Sequence, residues 1–204
     1  MFGQTSNSNP FQNCTLRASL RSPYARRVRI AFIEHALSYH EVMEDVFQPS
    51  PALLESNPLG RVPVATLATG EQVCESQQIL NAAFGARPTP SEAAVSGLAI
   101  GLCDKIVERL LESLRPKEQQ DPEIFLDFER LLDPTLHALQ KHLGPLAPAG
   151  ADRLGQCWID TGVALAYLNL RYNNQWQTRH PGLSQLLQAL EARGSFKKTT
   201  PPPA

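Results

Sequence analysis

Sulfur and imidazole side chains are few in this chain and lie far apart. The cysteines form no CxxC pair and no cluster with metal-ligand spacing: Cys14, Cys74, Cys103 and Cys157. His137 and His142 are five residues apart, which places them on different faces of a helix and disfavours a shared metal ion. The pattern predicts reduced thiols, as in a cytosol, with no metal site and no disulfide framework.

The serine at position 22 lies at the junction of two predicted elements. A short alternating segment at 15–20 is typical of a strand, and Ser22-Pro23 follows it. Proline has a fixed φ that suits the first turn of a helix, so Pro23 predicts a helix start. Ser22 is then the predicted N-cap, the position where serine is strongly preferred.

The rest of the first half alternates between strand and helix patterns. Apolar residues at helical spacing predict helices over 24–37 and 79–84, the second with Ser76 as its N-cap. Strands are predicted at 39–46, 62–67 and 72–74, and a turn or short helix at 49–56. Asn57-Pro58-Leu59-Gly60 is a strong turn signal. These elements have the number and size of one small α/β domain.

The hydrophobic pattern becomes entirely helical after residue 90. Arg87-Pro88-Thr89-Pro90 is a stiff polar break and a candidate linker. Apolar stripes predict helices over 95–114, 124–143 and 183–190, and the segment 158–172, apolar nearly all round, predicts a buried central helix without a readable capping box. The predicted domains are a disordered tail at 1–13, an α/β domain at 14–86 and an all-helical domain at 91–199.

Composition excludes several classes of protein. Hydrophobic residues make up 42% of the 204, enough to build a sizeable core. A net charge of −1 offers no overall attraction to nucleic acid or to an anionic membrane. No segment approaches the roughly 18 apolar residues of a membrane span, and residues 1–13 lack the apolar run of a signal peptide. We therefore expect a soluble cytoplasmic protein with no nucleic-acid or membrane partner.

Three motifs in the first half together resemble those of the glutathione S-transferase family. They are Ser-Pro-Tyr-Ala-Arg-Arg-Val-Arg-Ile-Ala at 22–31, Asn-Pro-Leu-Gly-Arg-Val-Pro-Val at 57–64 and Glu-Ser-Gln-Gln-Ile-Leu at 75–80. The segment Arg193-Gly194-Ser195-Phe196-Lys197 also resembles a family ending, so the likeness covers residues 15–199. It implies a thioredoxin-like α/β domain that binds glutathione, followed by an all-α helical bundle domain.

The resemblance implies that Ser22 is the catalytic residue, because serine-type members of the family have their catalytic serine at this position. A hydroxyl there can donate a hydrogen bond to a glutathione thiolate, and the helix N-terminus adds positive potential. Both effects lower the pKa of the thiol from its usual value near 8.5 toward neutrality. Ser22 could also serve only as a helix cap. Ser19 and Tyr24 are rival hydroxyls of lower rank, because Ser19 precedes the turn and Tyr24 is spaced for the core face.

The other implied site residues are glutathione contacts. In the family the Val62-Pro63 peptide bond is cis, and the backbone of Val62 pairs with the cysteinyl unit of glutathione as an added strand. Ser76 and the free N–H groups of its helix bind the γ-glutamyl carboxylate, and Glu75 accepts from the γ-glutamyl ammonium. The plainer alternatives are a proline that starts a strand and a capping serine beside a surface acid.

Several other side chains have an ordinary interpretation as well as a functional one. Arg26, Arg27 and Arg29 are predicted to form a solvated helix face rather than a phosphate patch. Arg61 is a weaker candidate for a glutathione carboxylate. Cys74 is predicted to be buried packing. Three aromatic residues could line an electrophile pocket or pack in the core: Tyr167, Tyr172 and Trp176.

The implied function is a glutathione transferase, with glutathione as co-substrate, no metal, a small apolar electrophile as the second substrate and a homodimeric state. One alternative is a non-catalytic member of the same fold that binds glutathione or a protein. Another is a thiol reductase of the cysteine type, which Ser22 disfavours because a mixed disulfide needs a sulfur atom at this position.

Overall fold

The computed structural model describes residues 9–85, 87–144, 153–172 and 175–203. The chain divides into two compact units, Met1–Arg87 and Pro88–Ala204. No helix within these described ranges is long and apolar enough to cross a membrane.

The first unit is a four-stranded mixed sheet with helices, and this confirms the predicted thioredoxin-like α/β fold. Its elements in chain order are β1 (Cys14–Ala18), α1 (Pro23–Glu34), β2 (Tyr39–Met43), α2 (Pro51–Ser56), β3 (Val64–Thr66), β4 (Gln72–Cys74) and α3 (Ser76–Phe84). The strand order is β2-β1-β3-β4. β1 and β2 are parallel and α1 forms the crossover between them, whereas β3 is antiparallel to both β1 and β4.

Residues 9–13 pack on the rest of the first unit, so the prediction of a disordered tail is wrong for this segment. The Phe11 side chain is 1% exposed, and its ring lies edge-on to Phe32 with centroids 6.1 Å apart. The Asn9 side-chain amide donates to the carbonyl of Ala83 at 2.6 Å. Phe11 packs on a residue of α1 that is distant in sequence, a contact that local composition cannot reveal. Residues 1–8 of the predicted tail lie outside the described residues.

The described residues of the second unit form helices and the turns between them, which confirms the predicted all-helical domain. Its elements are α4 (Pro90–Ser113), a short 3₁₀ turn (Lys117–Gln119), α5 (Pro122–Leu143), α6 (Gln156–Arg171), α7 (Trp176–Arg179), α8 (Pro181–Glu191) and α9 (Gly194–Lys198). The short α7 and α9 escaped prediction because four or five residues hold too little periodicity to detect. The last two residues of the candidate linker form the start of α4. Thr89 is the N-cap, in a capping box with Glu92, and Pro90 is the first residue of the helix.

The central helix of this unit is α6, which is buried on nearly all sides as predicted. Its N-cap is Gly155, with no side-chain cap, and the first turn is braced instead by Gln156, whose amide donates to buried Asp160 at 2.7 Å. Gly162 lies where α6 meets Phe196 and Leu190: a Cβ there would lie 2.7 and 2.8 Å from their side chains. The absence of a side chain at Gly162 therefore permits the close approach.

Candidate active site

Sheet topology brings the site residues predicted from the sequence to one end of the first unit. Val64 begins β3 and pairs with Arg17 of β1 and with Cys74 of β4. Extending both antiparallel registers by one residue sets Pro63 opposite Ala18 and Glu75. β1 ends at Ala18, and the loop beyond it leads to Ser22 at the start of α1. Ser22, the Val62-Pro63 pair and the Glu75-Ser76 pair therefore lie at the same end of the sheet.

Ser22 is the N-cap of α1, as predicted. Its backbone is extended (φ −75°, ψ 120°), Pro23 occupies the first helical position, and the Ser22 Oγ accepts from the backbone N–H of Ala25 at 3.2 Å. The side chain is half-buried. No acceptor for the Ser22 hydroxyl proton is found among the described residues. The hydroxyl thus uses a lone pair to cap the helix and retains a proton that it can donate.

The loop before β3 is held by Asn57, which is 3% exposed. Its side-chain amide donates to the carbonyl of Arg61 at 2.8 Å, and its side-chain oxygen accepts from the N–H of Leu59 at 3.2 Å. The N–H of Gly60 donates to the Asn57 carbonyl at 2.8 Å, which confirms the predicted turn. Gly60 has φ +64°, a conformation that favours glycine. The loop therefore delivers Val62-Pro63 in a defined conformation.

The Val62-Pro63 peptide bond is cis, as the resemblance implies. The Val62 side chain packs in a cluster with Leu53 and Val64, against which Cys74 also lies. The ladders of β3 begin at Val64, so the Val62 backbone lies beyond the paired part of the sheet. The side chain of Val62 thus anchors this residue in the core, while its main chain lies outside the ladders of β3.

Glu75, rather than Ser76, is the N-cap of α3, and the predicted cap is corrected on this point. Glu75 is exposed, has φ 67°, and makes no side-chain cap hydrogen bond. Ser76 is the first residue of the helix and is 5% exposed. Its Oγ does not bond back to the helix but accepts from Nη1 of Arg27 at 3.1 Å. The hydroxyl that the sequence pattern assigned to capping is instead hydrogen-bonded to a residue of another helix.

The three arginines of α1 are buried, so the predicted solvated face is wrong. Arg26, Arg27 and Arg29 are 5%, 1% and 6% exposed. Arg29 forms an ion pair with Glu41 of β2 at 2.5 Å. Arg27 also donates from Nη2 to the side-chain oxygen of Gln77 at 3.0 Å. Local sequence carries no signal for this burial, because it depends on the packing of α1 against α3, where Arg27 reaches two acceptors, Ser76 and Gln77.

The remaining candidates from the sequence are dispersed. Arg61 is exposed, and Ser19 and Tyr24 are half-buried. Trp176 is fully buried and donates from its indole nitrogen to Asn169 at 2.8 Å, and Tyr167 is 5% exposed, so both are core residues. Tyr172 stacks on Phe128 of α5 with ring centroids 4.8 Å apart and accepts a hydrogen bond from Arg109.

A cavity of about 300 Å³ lies between α4 and α5 of the second unit. Its lining is mostly apolar and includes Leu98, Leu102, Lys105, Phe128 and Leu132. The lining contains none of the three aromatic residues that the sequence offered for an electrophile pocket. The spacing of Leu98 and Leu102 on α4 could have indicated this face, but not that it borders open space.

Burial raises the pKa of three of the four cysteine thiols, which favours their protonated form. Burial raises the pKa of both Cys14 and Cys157 to about 11. Burial and the charge of Glu75 raise the pKa of Cys74, which is half-buried and donates to the carbonyl of Ser56 at 3.4 Å. Within the residues that the structure describes, no group of three or more His, Cys, Asp or Glu side chains is arranged to hold a metal ion.

A thioredoxin-like unit with a cis-proline turn before β3, followed by an all-α unit, is the architecture of the glutathione S-transferases. The family model for the glutathione S-transferase N-terminal domain matches residues 16–91. The match covers 76 of the 204 residues, so the first unit is similar to the N-terminal domain of this family.

Relatives are similar over nearly the whole chain. The uncharacterized GST-like protein YibF of Escherichia coli K12 is 28% identical over 203 residues, covering 93% of this chain and 99% of that protein. A glutathione S-transferase from Methylobacillus flagellatus KT, solved with GSH bound, is 28% identical with a TM-score of 0.82. The match covers 93% of this chain and 100% of that protein. A glutathione S-transferase from Methylobacterium radiotolerans, solved with glutathione sulfonate, is 29% identical with a TM-score of 0.82. The match covers 93% of this chain and 95% of that protein.

Proposed function

We propose that this protein is a glutathione transferase that activates the glutathione thiol as a thiolate for attack on an apolar electrophile. The observation that carries the proposal is the convergence of Ser22, Val62-Pro63 and Glu75-Ser76 at one end of the sheet. The two relatives solved with glutathione or its sulfonate support it.

The proposed binding mode assigns each part of glutathione to a different element. The backbone N–H and C=O of Val62 hold the cysteinyl unit by adding it as a short antiparallel strand. The γ-glutamyl carboxylate lies at the N-terminus of α3, where backbone N–H groups without intrahelical partners and the helix dipole favour an anion. The Ser76 hydroxyl donates to this carboxylate. Glu75, exposed beside it, accepts from the γ-glutamyl ammonium.

Ser22 is the proposed catalytic residue. Its lone pair caps α1 and its proton is available, so it can donate to a thiolate placed over the helix N-terminus. A hydrogen bond to the charged form and the positive end of the α1 dipole both lower the pKa of the thiol. A thiol that is mostly protonated at pH 7 in water thereby becomes a larger fraction of thiolate, which is the nucleophile.

The proposed reaction with an aryl halide is a substitution in which the electron pair of the sulfur forms the new C–S bond. The carbon–halogen bond breaks and the halide leaves with its electron pair. The proton of the thiol passes to solvent water before the attack. Glutathione is consumed as co-substrate, and no step of this proposal uses a metal. Binding both substrates at one site orients the sulfur and the carbon that react, which lowers the activation barrier.

Ser22→Ala tests the catalytic assignment. We expect kcat/KM for the conjugation of glutathione to 1-chloro-2,4-dinitrobenzene to fall about 100-fold, as for the loss of one hydrogen-bond donor to a developing anion. The pKa of bound glutathione, read from ultraviolet thiolate absorbance, should rise toward 8.5. Ser19→Ala is the matched control and should keep wild-type activity. Full activity of Ser22→Ala would show that the catalytic assignment is wrong.

Binding and catalysis can be separated by two measurements. We expect the intact protein to be retained on immobilised glutathione and eluted by free glutathione. Failure of retention would remove the ligand from the proposal. Retention without activity toward any of a panel of aryl halides, epoxides and enones would favour the non-catalytic binding member of the fold instead.

The oligomeric state and the location of the protein are inferred from the family resemblance and from the composition of the sequence. We infer a homodimer in the cytoplasm. Light scattering after size exclusion is expected to give twice the mass of one chain, and a mass of one chain would contradict the homodimer. Fractionation of cells that express the tagged full chain checks the location.

A further inference from the structure

Arg27 forms a buried bridge between the two helices of the candidate site. Its side chain leaves α1 and its two terminal nitrogens donate to the first two residues of α3: Nη1 to the Ser76 Oγ at 3.1 Å and Nη2 to the Gln77 Oε1 at 3.0 Å. The Gln77 amide nitrogen donates in turn to Asn81 at 2.9 Å, one turn further along. The bridge therefore fixes the side chains of the first turn of α3.

The bridge determines which way the Ser76 hydroxyl can act. A hydroxyl has one proton and two lone pairs. Arg27 has only donors, so it occupies a lone pair of the Ser76 Oγ and repels the proton. Among the described residues, none takes up the Ser76 proton. The hydroxyl is consequently held as a donor to whatever lies beyond the helix end, and donation from a cation polarises it further.

We propose that Arg27 is a positioning residue for the γ-glutamyl end of the proposed glutathione site, acting through Ser76. This inference rests on the proposed function. By directing the Ser76 proton outward and placing a buried guanidinium behind it, Arg27 makes the end of α3 selective for a ligand with a free carboxylate. A neutral carboxamide in the same place presents only one acceptor oxygen and no charge, so it gains less.

The guanidinium has a geometry that a lysine cannot reproduce. Its planar fork reaches Ser76 and Gln77 at once from a pre-organised group, whereas an ammonium is a point charge on a flexible chain. Arg27→Lys therefore keeps the charge but not both hydrogen bonds, and Arg27→Gln removes the charge as well. The two variants separate the contribution of charge from that of geometry.

The first experiment measures the affinity for S-methylglutathione, which binds without thiol chemistry, by calorimetry on the full chain. We expect Arg27→Gln to weaken binding about tenfold and Arg27→Lys about threefold, as for loss of charge-assisted hydrogen bonds. Arg29→Lys is the matched control, because Arg29 is also a buried arginine of α1 but pairs with Glu41. It should lower the thermal midpoint without changing the affinity.

The second experiment tests whether Arg27 acts through Ser76. In a Ser76→Ala background, Arg27→Gln should cost less than about twofold in affinity, because coupled residues are not additive. The preference of the wild type for S-methylglutathione over its γ-glutamyl carboxamide analogue should fall about tenfold in Arg27→Gln. In conjugation assays, the variant should raise KM for glutathione and leave kcat and the pKa of bound glutathione unchanged, since Ser22 is intact.

The outcomes separate this inference from the proposed function. If the wild type does not bind S-methylglutathione, the proposed function fails. If the wild type binds and the Arg27 variants bind equally well, or if the Arg27 and Ser76 effects are additive, the positioning role is wrong. If Arg27→Gln does not fold, Arg27→Lys and the carboxamide preference measured with it decide the question by the same criteria.

Discussion

At the scale of single residues, two serines of the candidate site share one arrangement. Ser22 accepts from a backbone N–H and Ser76 accepts from a guanidinium, and among the described residues neither finds an acceptor for its own proton. Each hydroxyl is therefore oriented by a donor and left as a donor. Two anionic groups of one ligand, a thiolate and a carboxylate, are matched by two such protons in the proposed binding mode.

A second residue-scale feature is the carboxylate of Asp133. Partial burial alone would raise its pKa, but hydrogen bonds and charges from Arg179 and His180 outweigh this and hold the pKa below its usual value. The Arg179 Nε lies 2.9 Å from one carboxylate oxygen, and the His180 Nε2 lies 3.3 Å from the other. A lowered pKa means that ionised Asp133 stabilises the folded state.

Asp133→Asn tests this contribution and its pH dependence. We expect the free energy of unfolding at pH 7 to fall by less than about 1 kcal/mol, because the group is about half exposed. The contribution is complete above the unfolded-state pKa of about 3.9 and is lost as the pH falls through the lower folded-state value. Urea unfolding from pH 7 downward should show the two proteins converging below about pH 4. A difference that stays constant over this range would contradict the assignment.

At the scale of the element, α6 illustrates how tightly a buried helix constrains its residues. Gly162 lacks a side chain where the ring of Phe196 and one methyl group of Leu190 come closest. Gly101 of α4, by contrast, has nothing within 4 Å of the position of a Cβ. The same substitution should therefore have opposite effects at the two glycines.

Gly162→Ala should lower the free energy of unfolding by about 1–3 kcal/mol, because the added methyl overpacks the core. Gly101→Ala should raise it by about 0.5–1 kcal/mol, because alanine is the better helix former and meets no neighbour. Urea denaturation of both variants beside the wild type measures the pair. A Gly162→Ala protein as stable as the wild type would show that the contact relaxes at no cost.

At the scale of the whole molecule, each of the two units encloses a protected thiol. Cys14 begins β1 in the first unit and is fully buried, and Cys157 lies on α6 of the second unit with 3% exposure. Burial raises the pKa of each to about 11, so both are protonated as well as inaccessible near neutral pH.

Thiol labelling reports on the two units separately. At pH 8, an aromatic disulfide reagent should leave Cys14 and Cys157 unmodified in the native protein and should modify them once urea unfolds the chain, with peptide mass spectrometry identifying each site. Half-buried Cys74 serves as the internal comparison and should react before them. Native labelling of Cys14 at the rate of Cys74 would contradict its burial.

Features that depend on neighbours along the chain could be predicted from the sequence. The helix start at Ser22-Pro23, the turn at Asn57–Gly60 and the burial of the 158–172 helix were predicted correctly. Capping, proline geometry, glycine turns and apolar periodicity all act within a few residues. The family motifs added the cis bond at Val62-Pro63, which the structure has.

Features that depend on residues far apart in sequence became visible only in the folded chain. Arg27 and Ser76 are 49 positions apart, so local pattern predicted a solvated arginine and a capping serine where a buried bridge exists. Phe11 looked like part of a polar tail because its partner Phe32 lies on another element. A side chain's exposure and the direction of a hydroxyl proton are set by what packs against them, and that is fixed only when distant segments fold together.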